Sequence, residues 1–355
     1  MRRTAAAFLA LAHAEGVVDD VEVCDADLSG AALRGMVFNS VDFSGSHLED
    51  ADLRDAVLHR CRLTRVQAAR IRLGNSNLVE CELEGMTAPA AQLGGAVVHA
   101  STLRNAVLDG APVEDAVFNG CDFAGASWRD AVLSTTVFSA CMFAGSDFSR
   151  TVFDRCVLLD ADLREVSLAG CTFNAAQMHR VNLSGRSLAG QRLVLCQFHG
   201  ALLEGCDFRG ADLTQANFQG AQLSGADLGA ARATRAIFVQ CALRGARLQK
   251  AQLRQALFVE AVLDDAVLEG ADLYQCNFER ARAVRASFVA AELTYADFSH
   301  AQLADADFQD AVLFRANLHE AFMPGARWSD RARALESDPE LQVAERWRPA
   351  AIDWH

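Results

Sequence analysis

The sequence predicts an all-β solenoid, a β-helix with four sides to each turn, and three observations predict it. A large apolar residue recurs at every fifth position from Leu28 to Trp328, 61 sites without one inserted or deleted residue. These sites are Leu, Phe, Val, Met or Trp throughout, with Ala only at 68, 88, 233 and 283. Two residues before each lies a second column of smaller residues, Ala26, Ala31, Ala51, Ala56, Cys61, Cys81 and onward to Ala326. A helical period of 3.6 would carry such positions off one face within two units, and a flat strand would alternate at two. Fixed-period self-similarity marks a solenoid, in which each unit buries its apolar face only against its neighbours. The Phe residues supply the longer period. All 18 Phe between 38 and 308 lie in the central column, and nine (38, 118, 138, 198, 218, 238, 258, 278, 298) differ by multiples of 20. Four units therefore complete one turn.

Three segments follow in order. Residues 1–25 form a cap and lead-in: Arg2 to about Glu15 reads as a helix covering the first coil with Phe8, Leu9 and Leu11 and stopped by Gly16. The same stretch also reads as a very short secretion signal, with Arg2 and Arg3 before an apolar run and Ala12-His13-Ala14 as a cleavage site. A β-helix end exposes unpaired strand edges, which favours the cap. Residues 26–330 are the solenoid, about 15 coils of ~4.8 Å rise and ~70 Å in length. Residues 331–355 form a second cap; Ser329 to Leu335 and then Pro339 to Arg348 read as one or two short helices, with Asp338 as the N-cap before Pro339. Trp347, Ile352 and Trp354 are then available to cover the last coil or to meet a partner.

Units such as Ala51-Asp52-Leu53, Ala161-Asp162-Leu163, Ala226-Asp227-Leu228, Ala271-Asp272-Leu273 and Ala316-Asn317-Leu318 carry a resemblance. The sequence resembles the pentapeptide-repeat family, whose unit is A(D/N)LXX, over 305 of its 355 residues. That resemblance implies a right-handed quadrilateral β-helix. It implies no activity, because function belongs to sites placed on folds.

Composition excludes several classes. A net charge of −13 opposes direct nucleic-acid binding, which needs Lys and Arg against phosphates, and no apolar run is long enough for a membrane span. No P-loop, HExxH or GxSxG is present, and a frame without insertions projects no long catalytic loop, so neither catalytic residues nor a cofactor is expected. Ten of the 11 Cys (all but Cys24) occupy the small column, where they read as a slightly larger Ala. With no CxxC pair a zinc site is not expected, and reduced thiols point to the cytoplasm. Five His (59, 99, 179, 199, 319) share one place in the 20-residue turn. They read as solvent-facing residues beside a corner or, where His179 and His199 stack, as a metal clip or pH-sensitive patch.

Candidate partner sites are the departures from the repeat. Arg186 and Gln191 stand in the small inward column, where an unpaired guanidinium cannot be buried. The coil is therefore expected to bulge, to turn Arg186 outward, or to supply a carboxylate such as Asp162 or Glu165. Pro89 and Pro112 remove ladder donors and mark an irregular zone over 86–115. The undersized Ala68 and Ala88 are offset by the oversized Ile71 and Met86. Trp347 and Trp354 complete the set, with a homodimer through the C-terminal tail as one outcome.

Functionally, the resemblance implies two roles. One is a non-enzymatic protein-interaction scaffold, of which accessory adaptors of bacterial type VI secretion are an instance. The other is mimicry of duplex DNA, occupying a type II topoisomerase such as DNA gyrase and changing quinolone sensitivity. Acidity fits mimicry, but no side collects the charge into a phosphate-like stripe. Arg62, Arg65, Arg70 and Arg72, then Arg232, Arg235, Arg244, Arg247, Lys250 and Arg254, interrupt it.

Overall fold

The computed structural model describes residues 2–346 of the chain, so Trp347, Ile352 and Trp354 lie outside the described residues. It is a parallel β-solenoid of about 16 turns with a short helix at each end. Pairings join residue i to i+20, as in Val37↔Val57, Asp27↔His47 and Asn217↔Ile237, until the last bridge, Asn317↔Leu335, where the separation is 18. The chain divides into two compact units, Met1–Ser184 with Arg192–Leu202, and Gly185–Gln191 with Leu203–His355.

One five-residue rule builds both. With the large central residue as reference, the amide just before it donates to the preceding coil, and its own amide donates to the next. In the unit around Leu48 these bonds are His47 N–H to Ala26 O at 2.9 Å and Leu48 N–H to Gln67 O at 2.6 Å. The second residue after the centre also donates to the next coil (Asp50 N–H to Ala69 O, 3.0 Å), and the third closes the corner (Ala51 N–H to Leu48 O, 3.1 Å). That leaves one amide per unit, the residue directly after the centre. Asp or Asn just before the centre takes it, as in Ser44 N–H to Asp42 Oδ1 at 2.9 Å and Gln219 N–H to Asn217 Oδ1 at 2.9 Å. The Asp/Asn of the repeat is thus a side chain closing its own corner.

The corner also demands a left-handed residue. Asp50 (φ 58°), Gln215 (φ 56°) and Tyr295 (φ 60°) stand two residues after a centre, and Gly fills the same place at Gly30 and Gly225. Each non-glycine residue there costs on the order of 1 kcal/mol, which the ladder on either side offsets.

In the first unit, helix α1 (Ala5–Glu15) is capped by Thr4, whose hydroxyl accepts from the Ala7 amide, and ends at Gly16 in the left-handed region. It buries Phe8 and Ala12, whereas Leu9 and Leu11 stay half-exposed. Phe8 stacks on Phe38 at 5.9 Å and meets Phe43 edge-on at 5.5 Å, so the helix closes the first coil as a cap. Val18 and Val23 already occupy central positions, and β1 (Val17–Asp19) pairs with β2 (Val37–Asn39), so the solenoid begins about half a coil before the expected start. The main sheet continues by steps of 20 through β3 (Val57–His59), β4 (Asn77–Val79), β5 (Val97–His99), β7 (Val117–Asn119), β9 (Val137–Ser139), β11 (Val157–Leu159) and β13 (Gln177–His179). A second sheet holds β6 (Pro112–Glu114), β8 (Val132–Ser134), β10 (Val152–Asp154) and β12 (Thr172–Asn174).

In the second unit isolated bridges replace long strands until β14 (Asp307–Phe308) and β15 (Arg327–Trp328). Its core is a column of parallel rings: Phe218, Phe238, Phe258, Phe278 and Phe298 follow at 5.0, 4.9, 4.7 and 4.7 Å. Helix α2 (Pro339–Arg346) follows Asp338, whose Oδ1 accepts from the Glu340 amide at 2.8 Å and the Leu341 amide at 3.3 Å.

The small column is more than filling. Ser46 donates to Val23 O at 2.7 Å, Thr151 to Trp128 O at 2.7 Å, Cys61 to Phe38 O at 3.3 Å and Cys276 to Leu253 O at 2.9 Å. Each hydroxyl or thiol reaches the carbonyl 23 residues back, so Cys, Ser and Thr serve as interchangeable wall donors, a role that reading Cys as a larger Ala misses. Burial pushes the Cys156 and Cys196 thiols up to about 11, which keeps them protonated donors.

Candidate interaction surface

The irregular residues behave differently from one another. Pro89 stands directly after a centre, where the amide has no ladder role, so it removes no ladder donor; its carbonyl still accepts from Arg70 N–H at 2.9 Å. Pro112 stands directly before a centre, where neighbouring units donate backwards, as Val132 N–H does to Ala111 O at 3.1 Å. Having no N–H, it starts β6 at the edge of its sheet, beside a surface depression lined by Gly74, Gly94 and Val132. Ala68, Ile71, Met86 and Ala88 are all buried, so volume is redistributed locally.

The five-residue frame continues through Arg186 and Gln191 without a bulge. Asp207 N–H donates to Arg186 O at 2.9 Å and Asp212 N–H to Gln191 O at 2.8 Å. Both side chains are half-buried, and Asp162 is engaged by its own neighbour Arg164 at 2.7 Å. The structure thus places Arg186 and Gln191 in one stretch of the second unit and Pro89 and Pro112 in the first.

The histidines separate as well. His179 and His199 have ring centroids 6.0 Å apart at 49°, and burial followed by the neighbouring His199 lowers the pKa of His179. His319, expected to face solvent, is only 3 % exposed. Its Nδ1 accepts from the Asp338 amide at 3.1 Å, which leaves Nε2 to carry the ring proton toward Glu345 at 3.3 Å. His300 Nε2 lies 3.4 Å from the same carboxylate. These three side chains are the one group among the described residues with ligand atoms close enough for a metal ion. A metal on Nε2 would place the ring proton on Nδ1, facing the Asp338 N–H, so the donor pattern fits a tie that fastens α2 to the last coils.

Many surface arginines pair with carboxylates of neighbouring coils. Corner pairs Asp50–Arg70, Asp130–Arg150 and Asp160–Arg180 are two-pronged at 2.6–2.8 Å, each joining neighbouring coils. Members of the basic clusters are answered across coils as well: Arg62 by Glu82 at 2.9 Å, Arg232 by Asp212 at 2.9 Å and Arg254 by Asp272 at 3.2 Å. Hydrogen bonds from Arg54 and Arg209 hold Asp52 and Asp207 at about 2. Depressed carboxylates contribute stability above their unfolded values near 4 that is lost as pH falls towards 2. Urea midpoints are therefore expected to be level from pH 7 to 5 and to fall between pH 4 and 2, with a shallower fall for Asp52→Asn.

A feature absent from the sequence-derived set stands out on one face of the second unit. Arg254 lies over the Tyr274 ring at 4.3 Å, Tyr274 meets Tyr295 edge-on at 5.9 Å, and Tyr295 meets Phe314 at 5.8 Å. Arg315 sits 5.8 Å from the Tyr295 ring. Tyr295, Phe314 and the adjacent Val312 are 41, 42 and 47 % exposed. An outward ladder of Tyr, Phe and Arg is the composition of an interface centre rather than of ordinary solvated surface. It continues into a shallow depression lined by Val312, Phe314, Asp330 and Arg333. No helix among the described residues is long and apolar enough to cross a membrane.

The pentapeptide-repeat family model matches in eight copies over residues 25–60, 116–155, 146–185, 192–229, 221–258, 261–294 and 291–329. Among solved structures, the chain is similar to HetL, a pentapeptide repeat protein involved in heterocyst differentiation regulation from the cyanobacterium Nostoc sp. strain PCC 7120. The identity is 21 % over 73 % of this chain and 95 % of that one, with a TM-score of 0.27. A trypsin-treated QnrB1, a plasmid-mediated fluoroquinolone resistance protein, is 17 % identical over 68 % and 91 % of the two chains, with a TM-score of 0.22. A pentapeptide repeat protein from the Arabidopsis thaliana thylakoid lumen is 31 % identical over 35 % and 67 %, with a TM-score of 0.14. Among curated proteins nothing matches. With its coils in one five-residue frame and the family model matched over more than half of its length, this chain belongs to the pentapeptide-repeat family.

Proposed function

We propose that this chain is a non-enzymatic protein-interaction scaffold whose docking face is the outward ladder Arg254, Tyr274, Tyr295 and Phe314. The ladder carries the reading because large rings on a stiff wall offer contact area with little entropy to lose on binding. Pairing of surface carboxylates with arginines of neighbouring coils weighs against DNA mimicry, which needs unneutralised negative charge along one face. An adaptor accessory to type VI secretion, in the cytoplasm of a bacterium, is the specific form suggested by family resemblance. A second copy of this chain is a further partner at the C-terminal tail, where Leu341 and Val343 are 45 and 72 % exposed. Affinity capture from the host beside a gyrase supercoiling assay separates these readings. Recovery of secretion components without inhibition supports the adaptor, whereas recovery of topoisomerase with inhibition overturns it. Tyr295→Ala with Phe314→Ala is expected to weaken capture by about 2 kcal/mol or more, the cost of losing an interface centre.

A further inference from the structure

We propose that Cys141 is a modification site: a wall thiol reached through a local breach between two coils and taken by small disulfides. Around Phe143 the ladder is interrupted. The amides of Phe143, Gly145 and Asp162 enter no inter-coil backbone bond among the described residues, and Met142 bridges Asp122 but not Asp162. The same face is intact one coil before, with Phe123 N–H to Met142 O at 2.8 Å, and one coil after, with Leu163 N–H to Asn182 O at 2.9 Å. The opening is a cleft of about 410 Å³ lined by Cys141, Met142, Phe143, Asp160, Asp162 and Glu165. Cys141 is 7 % exposed, whereas the other nine thiols of its column are at 0–2 %, and Met142 at the mouth is 56 % exposed.

Access separates Cys141 from a chemically equivalent pair elsewhere in the column. Cys121 lies one coil away, and the Cys141 thiol donates to Phe118 O and to Ser139 O, both at 3.4 Å. Cys61 and Cys81 repeat that arrangement, the Cys61 thiol donating to Phe38 O at 3.3 Å and to His59 O at 3.7 Å. There the wall is closed: Leu63 N–H donates to Glu82 O at 2.6 Å, and Glu82 N–H to Cys61 O at 2.9 Å. The two pairs share their chemistry and differ in the breach. In the reaction the Cys141 thiol gives its proton to solvent and the thiolate attacks one sulfur of the disulfide RSSR. The S–S bond breaks, a Cys141–S–S–R bond forms, and RS⁻ leaves as the reduced product.

The test uses the full chain with Cys24→Ser, because Cys24 is half-exposed, and dithiobis(nitrobenzoate) as the disulfide. One thiolate is expected to be released per chain, with the adduct mapped to Cys141 and formed roughly tenfold or more faster than at Cys61. Adding Cys141→Ser is expected to abolish release; serine is native to this column, as buried Ser46 and Ser146 show. Equal rates at Cys61 and Cys141, or no release from the Cys24→Ser chain, would overturn the proposal.

Discussion

Phe258→Ala is expected to cost about 3–5 kcal/mol, the range for emptying a fully buried aromatic site. Phe258 is 0 % exposed and lies between parallel rings at 4.9 and 4.7 Å, so its loss removes two stacking contacts as well as the buried area. Neighbouring backbones are fixed by their ladders and cannot collapse into the gap. Phe258→Leu is expected to cost nearer 1 kcal/mol, because Leu is the commonest residue at the central positions of the repeat as a whole and fits their shape. Urea denaturation followed by circular dichroism measures both. Hydrogen exchange should confine the loss to amides of the coils flanking 258, since solenoid units communicate chiefly with nearest neighbours.

The second large effect concerns Asp264, whose side chain is 2 % exposed. It accepts from Arg244 at 3.2 Å, Arg282 at 3.1 Å and the Val284 amide at 3.2 Å. Replacing both arginines by Ala leaves a buried carboxylate with one backbone donor, expected to cost about 3–5 kcal/mol. Adding Asp264→Asn to that pair should restore much of the loss, because an amide carries no charge to desolvate. Denaturant midpoints of the double and triple variants decide the point; a triple variant no more stable than the double would show that lost packing of the arginine stems dominates.

What the sequence made legible was whatever repeats in phase. The columns at Leu28 to Trp328, the four-sided turn from the Phe spacing, the capping helix over Phe8 and the Asp338 cap were all readable, because each follows from side-chain size or local capping. The aromatic ladder was not: Tyr274, Tyr295 and Phe314 are 21 and 19 residues apart, and only the corner geometry brings them into line. His319 looked like its column-mates until a helix 20 residues later covered it. The breach at Phe143 has no sequence signal, since Ala161-Asp162-Leu163 is a good repeat unit. Pro89 was misleading for the opposite reason: proline disrupts only those places in the unit whose amide the ladder uses, and that assignment is visible only in the bonds.

The filling of the interior at every fifth position by a turn of 20 residues can be checked with paired labels on the second unit. Gln222 and Ala242 bridge neighbouring coils, whereas Arg232 is half a turn from Gln222. Cysteines at 222 and 242 carrying pyrene, with Cys24 and Cys141 replaced by Ser, are predicted to give strong excimer emission, and cysteines at 222 and 232 none. Excimer from the ten-residue pair, or equal emission from both, would contradict the four-sided coil and with it the docking face built on its wall.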